Sequence, residues 1–312
     1  MIISASRRTD IPCRYSEWFF NRIKDGYALV ANPMNANQIS RIDLSPSVVD
    51  CIVFWTKNPT NMLDSLDKLD KYAYYFQFTL TGYGTDVEAR IPNKSTEIIP
   101  AFKNLSKAIG REKVIWRYDP IIITGKYTTD FHINAFQKLA GELALYTEKV
   151  VISFVDLYAK TVRNVAGTGM RTPTQGERME LAFKLSDVAR SNGLIIETCS
   201  ETIDLGGVGI AHGCCIDKKL IERIIGCKLM VPKDNNQRKE CGCVESIDIG
   251  AYNTCPNGCK YCYANYSKST VDRSGVMYDP LSPILCRTIR DEDIVTERPT
   301  RSLKNNQISF WD

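Results

Sequence analysis

Residues 246–262 read S-I-D-I-G-A-Y-N-T-C-P-N-G-C-K-Y-C, a short apolar run followed by a turn-rich loop with three cysteines. Ser246–Gly250 has the makings of a strand, and the Asn, Pro and Gly that follow fold the loop tightly. Cys255, Cys259 and Cys262 are spaced C-x3-C-x2-C. Three thiolates on one short loop can hold three irons of a cuboidal [4Fe-4S] cluster and leave the fourth iron without a protein ligand. An iron left open in this way is where a small molecule binds. The competing reading is a structural zinc site completed by Cys243 or His212, although tight zinc sites use C-x2-C pairs.

Outward from this loop, short apolar runs alternate with longer amphipathic segments, the signature of repeated βα units. The runs expected as strands are Met1–Ala5, Ala28–Ala31, Cys51–Trp55, Tyr74–Leu80, Val114–Tyr118, Val150–Val155, Leu194–Thr198, Lys228–Val231 and Ser246–Gly250. Helical spacing marks Tyr15–Lys24, Thr60–Leu69, Ser95–Ile109, Asp130–Tyr146, Thr174–Asn192 and Asp217–Ile225. An α/β chain with a complete or partial (β/α) barrel fits this order best, with a doubly wound open sheet as the competitor. The barrel is expected to span residues 1–263 and to include a cysteine-rich region at 199–263. Residues 264–312 read as an irregular extension packed on it.

Composition bounds the function. With 44% apolar and 24% charged residues the chain is an ordinary globular one, able to bury roughly three quarters of its unfolded surface. No apolar stretch is long enough to span a bilayer and no signal peptide is visible, so a cytoplasmic protein without a membrane partner is expected. The net charge of +4 is spread evenly along the chain, which gives a nucleic-acid partner little electrostatic support. Only two histidines are present, which argues against zinc hydrolase chemistry.

Nine of the twelve cysteines lie between Cys199 and Cys262. In a reducing compartment such a cluster reads as metal ligation or redox chemistry before disulfides. Beyond the loop, four of Cys199, Cys214, Cys215, Cys241 and Cys243 can make an all-thiolate site, whereas Cys13, Cys51, Cys227 and Cys286 read as packing residues. In a barrel the chemistry sits at the carboxyl ends of strands. The residues there include Ser6, Arg7, Arg8, Thr9 and Asp10; Thr56, Lys57 and Asn58; Thr81 and Tyr83; Arg117 and Asp119; Asp156 and Tyr158; and Cys199 and Glu201.

The loop C-P-N-G-C-K-Y-C, with an aromatic residue directly before its last cysteine, resembles the cluster loop of the radical S-adenosylmethionine (SAM) superfamily. Its continuation through Tyr266 resembles the photolyase-type branch that includes spore photoproduct lyase. The resemblance implies that Cys255, Cys259 and Cys262 bind a [4Fe-4S] cluster whose free iron is chelated by SAM, with Tyr261 near the adenine. One electron, supplied by a reductase or a flavodoxin- or ferredoxin-type donor, then cleaves SAM to a 5′-deoxyadenosyl radical that abstracts a substrate hydrogen. Thr56, Lys57, Asn58, Arg117 and Asp119 would contact SAM or substrate, and the charge of Lys57 or Arg117 would suit a carboxylate or phosphate. Similarity to the branch favours a nucleic-acid lesion or modified base as substrate, while the modest charge favours a small molecule or peptide.

Many radical SAM enzymes carry an auxiliary cluster, so the resemblance also implies a second [4Fe-4S] cluster, with zinc or free thiols as alternatives. Its expected ligands are Cys199, Cys215, Cys241 and Cys243. Superfamily members carry the cluster loop after the first barrel strand, whereas here it comes late in the chain. A circular permutation reconciles the two and requires Ser246–Gly250 to lie beside Met1–Ala5 as a parallel strand. I-V-F-W-T-K-N-P at Ile52–Pro59 and W-R-Y-D-P-I at Trp116–Ile121 then resemble later strands of the branch. S-R-R-T-D-I-P at Ser6–Pro12, F-W-T-K-N-P at Phe54–Pro59, W-R-Y-D-P-I-I at Trp116–Ile122 and C-G-C-V-E-S-I-D-I-G-A-Y-N-T-C-P at Cys241–Pro256 are similar to the DUF1848 proteins. That similarity runs along nearly the whole chain and implies one integral domain, without a reaction. Two other function classes stay open: an iron-sulfur electron-transfer or sensor protein without SAM chemistry, and a zinc-stabilised nucleic-acid binder stacking bases on Tyr261, Tyr263 and Tyr266.

Overall fold

The computed structural model describes residues 1–156 and 159–305, so Tyr158 and the last seven residues lie outside the described residues. Its strands are β1 (Ile2–Ala5), β2 (Tyr27–Asn32), β3 (Asn35–Asp43), β4 (Cys51–Thr56), β5 (Tyr74–Thr79), β6 (Val114–Ile121), β7 (Lys149–Phe154), β8 (Ile195–Cys199), β9 (Ala211–Gly213), β10 (Ile247–Asp248) and β11 (Ile294–Glu297). The helices are α1 (Ile11–Arg14), α2 (Ser16–Asp25), α3 (Thr60–Leu63), α4 (Ile99–Ile109), α5 (Thr129–Leu143), α6 (Ala159–Val165), α7 (Gln175–Ser191), α8 (Lys218–Ile225) and α9 (Lys268–Val276). No helix among the described residues is long and apolar enough to cross a membrane.

Eight strands form one parallel sheet in the order β10-β1-β4-β5-β6-β7-β8-β9. From β1 to β9 they follow the chain, and only β10 is out of sequence. It takes the edge ahead of β1, pairing parallel with Ile3 opposite Ile247 and Ser4 opposite Asp248. The adjacency expected of Met1–Ala5 and Ser246–Gly250 is therefore present.

Why these runs become parallel strands is visible in β4. Cys51, Ile52, Val53 and Phe54 are all at most 1% exposed, because a parallel strand is covered on both faces. Alternate residues divide between two cores. Ile52, Phe54, Phe76, Phe78, Trp116 and Ile152 face a layer of helices that contributes Trp18 and Phe19 of α2, Phe102 of α4, Phe136 of α5 and Leu181 and Leu185 of α7. Cys51, Val53, Tyr75, Ile115 and Val151 face the other way, onto Leu220 and Ile221 of α8 and the segment carrying Cys215, Cys241 and Cys243.

Helices α2, α4, α5 and α7 thus pack on one face and α8 on the other, and the strand order has no reversal between β1 and β9. The unreversed order favours a partial barrel over a doubly wound sheet. The sheet is open, since β10 and β9 are its edges. Among the helices α7 is bounded as its sequence dictates, by a capping box between Thr174 and Glu177 and by Gly193 in the left-handed region at φ +68°.

Three expectations are corrected. Ala28–Ala31 is a strand, but it lies in a separate sheet of order β11-β3-β2, where β2 pairs antiparallel with β3. Lys228–Val231 is no strand: α8 already covers that side of the sheet, and Leu229 makes only an isolated bridge to Lys304. The segment from residue 264 is not wholly irregular, because it contains α9 and β11. It does pack on the rest of the chain, with Trp18 Nε1 donating to Ser282 O at 2.8 Å and Arg22 Nη2 to Leu281 O at 3.0 Å.

Candidate functional site

Asp248 ends β10 and fastens it to β1. Its carboxylate accepts from the Ser4 and Ser6 hydroxyls, each at 2.6 Å, from Arg7 N at 2.8 Å and from Gly250 N at 3.0 Å. The approach is close enough to require glycine at 250, where a Cβ would stand 2.2 Å from Ser6 Oγ. From there the chain enters the cysteine loop, which two other segments hold. Asn257 Nδ2 donates to buried Asp10, and its Oδ1 accepts from Arg14 Nε at 2.7 Å. Residues 87–90 run antiparallel to the loop, with Lys260 N donating to Val87 O and Arg90 N to Asn257 O.

Cys255, Cys259 and Cys262 line a cavity of about 730 Å³ that the carboxyl ends of β1, β4, β6, β7 and β8 complete. The three thiols influence one another electrostatically and lie deep enough that burial pushes each of them up, Cys255 to about 12. Lys57 opposes this at both Cys259 and Cys262. A metal would reverse the effect, because coordination deprotonates a thiol outright.

Of the residues expected to meet cofactor or substrate, Thr56, Lys57, Arg117, Asp119 and Tyr261 line this cavity. Asn58 does not. Its Oδ1 accepts from Thr60 N at 3.1 Å at the start of α3. Lys57 Nζ donates to Glu88 Oε1 at 2.7 Å, and Lys94 Nζ and the Tyr261 hydroxyl bind the same carboxylate. Burial, the largest influence on Glu88, pushes its carboxyl up, but the two lysines together overcome it and hold the group down at about 2. Arg117 grips Asp119 with Nε and Nη2 and points Nη1 at Gln77 Oε1 and Cys215 Sγ, the latter at 2.9 Å.

That contact leads to a second group of thiols. Cys199 Sγ and Cys215 Sγ are 3.1 Å apart, Cys243 Sγ accepts from the backbone N–H of Cys215 and Ile216 at 3.3 Å, and Cys241 lies against Cys243. The four expected residues are brought together, and all four line the same cavity as the loop. Cys215 is held over the sheet by Tyr75 and Gln77, whose side chains donate to its carbonyl. Cys214 does not line the cavity and sits instead near Asp217, Glu197 and Lys149. Cys13, Cys51 and Cys286 are buried as packing residues. Among the described residues no disulfide forms, and no three His, Cys, Asp or Glu side chains are grouped as ligands ready for a single ion.

His212 is exposed on β9 and His132 is structural. Burial holds the His132 imidazole down at about 4, with the Tyr118 hydroxyl on Nδ1 and Ile122 O on Nε2. Sequence reasoning missed Glu88, which sits in irregular chain, and Lys94, which opens the π-helical turn Lys94–Ile98 ahead of α4. Glu201 was named only as a strand-end residue. It is 6% exposed, accepts from Phe154 N at 2.7 Å, and burial pushes its carboxyl up to about 7 at the cavity wall.

Among known protein families the chain matches the model described as a domain of unknown function, DUF1848, over residues 2–264. The span takes in the whole eight-stranded sheet and all three loop cysteines, and it stops before α9. No curated protein matches the chain. With the match running from β1 through the cysteine loop, the chain belongs to the DUF1848 family.

Proposed function

We propose that this chain is a radical SAM enzyme. The observation that carries the reading is the placing of the C-x3-C-x2-C loop. It follows the strand that heads the sheet, and its three thiols open on the cavity of about 730 Å³ at the carboxyl ends of the parallel strands. The donor set fits the group: three cysteines, no fourth ligand on the loop, and space beyond them for a small molecule. A permuted barrel explains why this strand comes late in the chain yet stands beside β1.

In this reading Cys255, Cys259 and Cys262 hold a [4Fe-4S] cluster. When bound with SAM and reduced by a flavodoxin- or ferredoxin-type donor, that cluster supplies a 5′-deoxyadenosyl radical for hydrogen abstraction from the substrate. The chain's own residues prepare the site. Lys57 offsets the charge of the thiolates at Cys259 and Cys262, and Glu88 holds Lys57, Lys94 and Tyr261 in one fixed network. Tyr261 thereby presents its ring to the cavity with its hydroxyl already satisfied. Thr56 and Asp119 add polar groups to the wall.

Cys199, Cys215, Cys241 and Cys243 hold a second thiolate-bound centre, a [4Fe-4S] cluster or zinc. The N–H donors directed at their sulfurs, from Arg117, Cys215 and Ile216, are what spreads the charge of such a centre. The substrate is a modified base or a small molecule.

The test is anaerobic purification with iron, sulfide and zinc analysis, followed by EPR of the reduced protein with and without SAM. About four irons per cluster are expected, so roughly eight per chain with a second cluster or about four beside zinc, with a signal that SAM shifts; zinc alone, or a signal indifferent to SAM, overturns the reading.

A further inference from the structure

A buried cation needs an anion, and where the chain supplies one its N–H groups are used up. Along the cavity Lys57 is held by Glu88, Arg117 by Asp119, and Arg238 by Asp156 at 2.6 Å. Arg7 and Arg8, which follow β1, differ. They are 18% and 22% exposed, and their nearest carboxylates stand off at 4.0 Å for Asp234 and 3.9 Å for Asp248. Both carboxylates accept closer bonds elsewhere, Asp248 from the four donors of the β10 fastening and Asp234 from Asn236 N at 2.9 Å and Gln237 Nε2 at 3.2 Å.

Each guanidinium lies instead on an aromatic face, Arg7 over Trp55 at 5.4 Å and Arg8 over Tyr252 at 5.1 Å. Stacking steadies the charge and leaves the edge N–H groups available for a planar, forked contact. Only long bonds of 3.5 Å reach them, from Arg7 to Ser246 Oγ and from Arg8 to Gly250 O. The Cys243 and Cys215 sulfurs and the Tyr263 hydroxyl are the other groups facing Arg7.

Two further atoms point the same way. Arg7 Nε and Thr9 Oγ1 are buried without a partner, and Thr9 is only 5% exposed. The next residue makes the turn rigid, since Asp10 accepts from Cys13 N, Lys57 N and Asn257 Nδ2.

We propose that Arg7, Arg8 and Thr9 form the seat of an oxyanion, the carboxylate or phosphate of a molecule that enters the cavity. The two guanidiniums supply forked donors and Thr9 a hydroxyl, so the ligand brings a close counter-charge where Asp234 and Asp248 stand off at 4.0 and 3.9 Å. Lys57 and Arg117, whose charges the sequence offered for this task, are already occupied by carboxylates. The inference stands on the cavity and its cations, and it holds whether or not the loop carries a cluster.

The test is calorimetric titration of the purified chain with inorganic phosphate and, separately, with acetate at constant ionic strength. Saturable binding is expected, weakened roughly 10- to 100-fold by Arg7→Gln or Arg8→Gln and about 2- to 10-fold by Thr9→Val, which keeps the side-chain shape. Arg290→Gln, at an exposed residue that does not line the cavity, is expected to leave it unchanged. Tighter phosphate than acetate assigns a phosphorylated ligand, and the reverse a carboxylate. Titration of the same variants with SAM separates the sources: parallel weakening makes the anion its carboxylate, and unaltered affinity gives it to another molecule. Failure of both anions to bind, or binding that all three variants leave intact, overturns the proposal. Phosphate binding in a protein that ignores SAM would leave the seat standing and remove the radical reading instead.

Discussion

The two thiol groups that share the cavity are built in opposite ways. Cys255, Cys259 and Cys262 come from eight consecutive residues and are served by a lysine. Cys199, Cys215, Cys241 and Cys243 come from three separate segments, touch in a string and are served by arginine and backbone N–H groups. The first can form as soon as its loop folds, whereas the second exists only once the sheet is complete. A local motif survives as a pattern in the chain, while an assembled site leaves only a surplus of cysteines.

The largest effect should separate the two groups outright. Replacing all three loop cysteines with alanine is expected to abolish the SAM-dependent EPR change while leaving the metal at the other group. Cys199→Ser with Cys243→Ser should do the converse, removing metal and keeping the SAM response. Metal analysis beside EPR reads both, and loss of everything from either variant would merge the two sites into one.

A smaller effect concerns the lysine side. Glu88→Gln leaves Lys57 and Lys94 buried without a counter-charge, which costs about 3–5 kcal/mol. The same carboxyl sets an acid dependence. Its folded value of about 2 lies below the ordinary 4.5, so its contribution is whole above about pH 4.5 and is lost as pH falls towards 2. Denaturant unfolding at pH 6 and pH 3 should show the variant penalty shrinking at the lower pH. An equal penalty at both would show that Glu88 matters for shape rather than charge.

The smallest effect lies at the far wall. Glu201 is raised to about 7, so the folded chain holds its proton where the unfolded chain releases it. Its stabilising share is present below about pH 4.5, declines as pH rises to 7 and becomes a constant penalty above. Glu201→Gln should therefore match the parent at pH 4.5 and melt about 2–4 °C higher at pH 8. Identical melting at pH 8 would mean the carboxylate is better solvated than its burial suggests.

How far the fold was legible follows from the same contrast. The parallel strands were readable because two-sided burial makes each an unbroken apolar run, as in Cys51–Phe54. The small sheet was not: β11 is exposed along its whole length, and most of β3 is polar, with only Ile39 and Ile42 buried. Helix α9 escaped for a similar reason, since Ser274 is its only buried residue and it carries no apolar stripe. At the site, spacing, count and resemblance pointed to the loop cysteines and to four further thiols, and both sets line one cavity. Glu88 and Lys94 left no such signal, and Arg7, Arg8 and Thr9 showed only as strand-end residues, because pairing is decided by which carboxylate reaches which cation in space. Asp248 reads as a strand residue, and its neighbours give no hint that four donors have claimed it.

The fastening of β10 to β1 joins residues 244 apart in the chain. During synthesis the edge of β1 therefore waits uncovered while nearly all of the intervening chain is made, a slow long-range closure that leaves a bare strand edge open to mispairing. The cysteine loop leaves the ribosome after that sheet. In the proposed reading a cluster on that loop is therefore loaded late, onto a chain whose other sheet strands are already made.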